Sequence, residues 1–179
     1  MALSQSNLRS GTYWLRVSAT EQGNARYRLT LTAEPPAVSA IDRSSNHFVS
    51  KVLQLTNSFR RQNHLKPLRL NDRLTAAAQQ HSQDMALQDF FAHEGRNGST
   101  VQARGLAAGY RGSIGENIAA GQPTPQAVVQ AWIDSAPHRA NLLDPRYRDI
   151  GIGFFNNLND SGTTNYSYYW AQDFGIPTM

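Results

Sequence analysis

The 179-residue chain contains no cysteine. Disulfide frameworks, thiolate metal centres and cysteine nucleophiles are therefore all excluded. Lysine is nearly absent as well, with only Lys51 and Lys66, so the formal net charge of +4 rests on scattered arginines. No basic stripe interleaves with exposed aromatics, which argues against nucleic acid as a partner. A mild positive charge of this kind steers the chain toward anionic surfaces such as cell wall or lipid headgroups without specifying one. No apolar run approaches the length of a membrane span, so no transmembrane segment is expected. Met1 to Gln5 lacks the charged start and apolar core of a signal peptide, and any export signal is expected upstream.

With 40% hydrophobic residues, the chain supports one sizeable core and a small appendage. In residues 1–33, Gly11 to Ser18 and Ala25 to Thr32 alternate apolar and polar side chains around Glu21-Gln22-Gly23-Asn24. This pattern predicts a β-hairpin. Residues 34–46 read as a linker, because Pro35-Pro36 cannot donate to a ladder and holds the chain extended. The main domain is expected over residues 47–179.

Within it, Ser44-Ser45-Asn46 offer caps for a helix carrying Phe48, Val49, Val52, Leu53 and Phe59 at helical spacing. A second helix is predicted from about Asp72, with Leu74, Ala77, Ala78, His81 and Met85 on one face. Thr124-Pro125 marks a third start, with threonine as N-cap and proline at the first helical position. A short helical turn is expected over Pro137 to Leu143. Asp149 to Phe155 and Tyr166 to Phe174 read as strands joined by a polar loop. Helices first and strands last predict an α+β domain with helices on an antiparallel sheet.

The run Gly115-Glu116-Asn117-Ile118-Ala119-Ala120-Gly121 places a carboxylate and an amide among small apolar residues. A buried carboxylate needs a partner, so the run is expected to be a loop that delivers Glu116 to a cleft, with Asn117 bonding its own turn. His81 reads as a core histidine, and His47 and His64 carry no assigned role. Ser135 and His138 stand three apart, yet no GxSxG elbow surrounds Ser135, and a serine before Ala-Pro is more often an N-cap than a nucleophile.

The succession LTNSFRRQNHLKPLRLNDRLTAAAQQHSQDMA, FFAHEG, GENIAAG, AWIDSAPHRANLL, IGIGF and YYWAQDFG resembles the CAP superfamily over residues 47 to 176. This superfamily comprises the cysteine-rich secretory proteins, antigen 5 and pathogenesis-related 1, and the chain looks like its bacterial, cysteine-free form. GTYWLRVS followed by YRLTLTA resembles the last strands of the bacterial pre-peptidase C-terminal domain.

The CAP resemblance implies an α-β-α sandwich with a cleft of two histidines and two acids, working outside the cytoplasm in an extracellular or periplasmic setting. By motif, His93, Glu116 and His138 fall at cleft positions and could hold zinc or another divalent metal. The second acid is missing: Ser135 stands at its place, with Asp134 one residue earlier. HExxH is absent, and the lost acid is the group that could have served a metal hydrolase as base. Binding of a small-molecule, lipid or cell-wall ligand is accordingly expected ahead of a metal-dependent hydrolase or peptidase, or a structural adhesion module. Nothing in the sequence fixes the oligomeric state.

Overall fold

The computed structural model describes residues 40–178, with side chains from His47 onward. The hairpin expected over residues 1–33, and most of the linker, lie outside the described residues. The first helix, α1 (Ala40–Gln62), begins within the stretch read as linker, several residues before the Ser-Ser-Asn cap candidates. After β1 (Arg69–Leu70) come α2 (Asp72–Leu87), α3 (Val101–Ala107), β2 (Gly112–Ala120), α4 (Pro125–Asp134), α5 (Ala136–Leu143), β3 (Asp149–Asn156) and β4 (Tyr168–Pro177).

Local chemistry explains where the helices start. Asn71 accepts from the backbone N–H groups of Arg73 and Leu74 at the head of α2, with Asp72 in the first turn. Thr100 caps α3 through the Ala103 N–H, and Thr124 caps α4 through the Ala127 N–H with Pro125 next to it.

The sheet order is β1-β3-β4-β2. β4 runs antiparallel to both β2 and β3, whereas β1 pairs parallel with β3, so the sheet is mixed and not wholly antiparallel as expected. Two segments differ from the sequence reading. Residues 101–107 form a helix without a conspicuous apolar stripe, and GENIAAG is not a loop but most of strand β2. Glycine and alanine are poor strand formers, and this strand exists because β4 pairs with it along its whole length.

Side chains alternate across the sheet and build a core on each face. On one face Ile150, Ile152, Phe154, Trp170 and Phe174 pack with Val52, Val128, Trp132 and Leu142 under α1, α4 and α5. On the other, Ile118, Tyr169 and Ala171 pack with Ala78, Met85 and Phe90 under α2 and its continuation. The expected α-β-α sandwich is therefore present, with β2 at its sheet edge.

Candidate functional site

Neighbouring residues of a strand point to opposite faces, and this rule builds the site from Glu116 and Asn117. Glu116 faces the α2–α3 layer. Its Oε2 accepts from Arg104 Nη2 at 2.6 Å, and its Oε1 is 2.7 Å from His93 Nδ1. A carboxylate can only accept, so Nδ1 of His93 carries the proton and the opposite ring nitrogen Nε2 remains an acceptor. The His93 side chain is 58% exposed, whereas that of Glu116 is 2% exposed. The strand thus holds one imidazole at the surface from beneath.

The segment around His93 is pinned through its backbone too. Arg104 Nη1 donates to the carbonyls of His93 at 3.0 Å and Ser99 at 2.9 Å. His81 Nε2 donates to the carbonyl of Ala92 at 3.0 Å. His81 is fully buried, as expected of a core histidine, yet its Nε2 lies 3.8 Å from Glu116 Oε2, so it belongs to the floor of the site. Burial pushes the His81 imidazole below its ordinary value, against the opposing pull of Glu116, and keeps it neutral at neutral pH.

Asp173 stands directly opposite Glu116 in the β2–β4 ladder and is fully buried, with no donor to either carboxyl oxygen. Burial first, and the Glu116 charge second, push its carboxyl well above the usual carboxylate range. Burial pushes Glu116 up as well, but the hydrogen bond from His93 and the charge of Arg104 outweigh it and hold its carboxyl below the ordinary value.

Asn117 faces the other layer. Contrary to expectation it does not bond its own turn. Its Nδ2 donates to the backbone carbonyl of His138 at 3.2 Å and to Gln172 Oε1 at 3.3 Å, while its Oδ1 accepts from Asn141 Nδ2 at 2.9 Å. Gln172 in turn donates to Thr56 of α1 at 3.0 Å. Adjacent residues of one edge strand therefore anchor the two histidine segments, Glu116 through the His93 ring and Asn117 through the His138 backbone. The His138 ring is held below its ordinary value chiefly by burial.

Ser135 lies half-buried at the junction of α4 and α5. Its backbone closes both helices, accepting from Arg139 N–H and donating to Ala131, but its side chain makes no capping bond. Asp134 is exposed and accepts from Gln130 at 2.9 Å. Neither restores the missing acid.

A zinc ion with an open position needs three protein donors. Both oxygens of Glu116 are already held by Arg104 and His93, which leaves two imidazoles. Among the described residues no group of three His, Asp or Glu side chains is arranged to hold a metal ion. The donor set does not fit a three-ligand centre.

Sequence reasoning missed Arg104 and Asp173 and undervalued His81. An acid inside the apolar run Tyr168 to Phe174 was the one available signal for Asp173.

The family model described as "CAP: Cysteine-rich secretory protein family" matches residues 53–174. YkwD of Bacillus subtilis is 37% identical over 147 residues, 81% of this chain and 51% of the relative. An extracellular protein of Bacillus anthracis containing an SCP domain superposes with a TM-score of 0.68 at 26% identity, covering 82% of this chain and 45% of that one. An outer surface protein of Borrelia burgdorferi superposes with a TM-score of 0.65 at 18% identity, covering 74% of this chain and 94% of that one, a likeness of fold alone. The chain spans about half the length of the two Bacillus relatives.

Proposed function

Because the chain belongs to the CAP family of cysteine-rich secretory proteins, we propose that it is a binding module working outside the cytoplasm, whose His93–His138 cleft receives a small-molecule, lipid or cell-surface ligand. One observation carries this reading. The Glu116 carboxylate that a hydrolase would use as base or ligand is buried and committed to Arg104 and His93. What faces outward is a fixed imidazole with a free acceptor nitrogen, which suits recognition and lacks a partner for proton transfer at a metal-bound water. Placement outside the cytoplasm is supported by the extracellular relative from B. anthracis. No described helix is long and apolar enough to cross a membrane.

The test combines binding and turnover. The His93 and His138 imidazole signals are followed by NMR while palmitate, phosphatidylglycerol vesicles or zinc chloride is added. Ester and peptide substrates are assayed in parallel on the wild type, His93→Ala and Ser135→Glu. We expect palmitate or the vesicles to move both imidazole signals, and hydrolysis to stay at background in all three proteins. Wild-type turnover abolished by His93→Ala would overturn the reading in favour of a hydrolase. A gain of about 100-fold in Ser135→Glu, the scale of a positioned base, would identify the cleft as a disabled hydrolytic site.

A further inference from the structure

The segment that carries His93 has a second concave side. A groove of about 360 Å³ lies between it and the β3–β4 loop, lined by Asp89, Phe90, Phe91, Glu94, Arg96 and Thr164 among others. Small-molecule sites span roughly 300–1,000 Å³. The groove sits at the lower end, with room for one or two rings and not for a long chain.

Its walls are fixed before any ligand arrives. Asp89 has a φ of 55°, and its carboxylate accepts from the backbone N–H groups of Thr163 at 3.0 Å and Thr164 at 2.6 Å, which ties the two loops together. Arg96 Nη2 donates to the carbonyl of Asp89 at 2.6 Å, and the guanidinium lies 5.5 Å from the centre of the Phe90 ring. Such bracing lowers the ordering cost of binding.

The groove offers three kinds of contact. Phe91 is 42% exposed and stands edge-to-face with Tyr166, 46% exposed, at 5.9 Å. Glu94 supplies an acceptor and Arg96 supplies donors, and neither forms an ion pair among the described residues. The lining carries two carboxylates, Asp89 and Glu94, against the Arg96 guanidinium, which disfavours a polyanion; Asp89 is held by the Thr163 and Thr164 N–H groups, leaving Glu94 and Arg96 as the two charges open to a ligand. An acyl chain would strip water from both charges without replacing it. A peptide adding as a strand would need a free sheet edge, and this groove is built from loops.

We propose that the groove is a carbohydrate subsite. A pyranose ring has an apolar C–H face to lie on Phe91, and hydroxyls that donate to Glu94 and accept from Arg96. The groove adjoins His93, since Ala92 and Glu94 on either side of it line its wall, and its proposed occupant does not depend on what the His93–His138 cleft binds.

Tri-N-acetylchitotriose and maltotriose are the probes, titrated into the ¹⁵N-labelled full chain, with phosphatidylcholine vesicles in a parallel arm. At least one sugar is expected to give saturable shifts at the amides of Phe91, Glu94, Arg96 and Thr164. Phe91→Ala should weaken that binding about tenfold or more, the scale of an aromatic anchor. Glu94→Gln, which disturbs no hydrogen bond of the fold, should weaken it as well. Three results would overturn the proposal: no saturable shift with either sugar, shifts that Phe91→Ala leaves intact, or vesicle binding that needs Phe91 while both sugars are silent. The imidazole signal of His138, which does not line the groove, reports the cleft independently, so failure at one site is distinguishable from failure at the other.

Discussion

Glu116 keeps its charge in an enclosed position because its neighbours divide the electrostatic work. Arg104 supplies the compensating positive charge, while burial disfavours the charged forms of both His81 and Asp173 beside it. This arrangement has a pH signature. His81 is depressed below 6.5 by burial, so the stability it contributes is present above that value and is lost as pH falls through its folded value. His138 acts in the same direction. Asp173 acts oppositely: its carboxyl is raised, so its contribution declines as pH rises through the carboxylate range toward its folded value. A comparison with a variant therefore isolates the histidine better than the wild-type profile alone. His81→Gln keeps a donor for the Ala92 carbonyl and cannot ionise. Urea melts should show the wild type losing more stability than His81→Gln between about pH 7 and pH 5. Equal slopes would show that His81 does not titrate there.

At the level of elements, the starts of α2 and α4 could be read from their first residues, whereas α3 and the edge strand could not. Asn71 and Thr124 act as caps through side-chain bonds to nearby N–H groups, a local interaction that sequence carries. Ser135 has the right residue type and the following Ala-Pro, yet its side chain makes no such bond, because the short junction between α4 and α5 fixes its backbone instead. The two sites should respond differently. Thr124→Ala is expected to cost about 1 kcal/mol, and Ser135→Ala much less, as measured by denaturant midpoints at constant slope. A Ser135→Ala loss as large as that at Thr124 would mean the hydroxyl bonds after all. For β2, small residues and a paired Glu-Asn gave no strand signal of their own. Its extended form follows from nine register partners on β4, distant in sequence.

Across the whole molecule, the sandwich depends on how closely α2 approaches the sheet. Gly151 and Gly153 occupy alternate positions of β3 on the α2 face, and a Cβ at either would fall on the helix backbone, at Leu74–Thr75 or at Ala78–Gln79. Gln79 of the same helix exchanges two hydrogen bonds with the Phe154 backbone, both at 3.0 Å, and so covers the β3 edge beyond the short β1 strand. Gly153→Ala should therefore destabilise by about 1–3 kcal/mol, the usual range for overpacking. Loss of the amide hydrogen-exchange protection shared by α2 and β3 should accompany it, and unchanged protection would show that the helix shifts freely. The sequence by itself determined the starts of α2 and α4, the two strands of β-branched and aromatic residues, the family, and that His93, Glu116 and His138 fall at its motif positions, because each is carried by contiguous residues or ordered motifs. Only the tertiary structure decided that Glu116 and Asn117 serve opposite layers, that Arg104 occupies the carboxylate, and that Asp173 lies against it. Those relations arise from strand pairing and layer packing between distant segments, and no local pattern encodes which residue will face which.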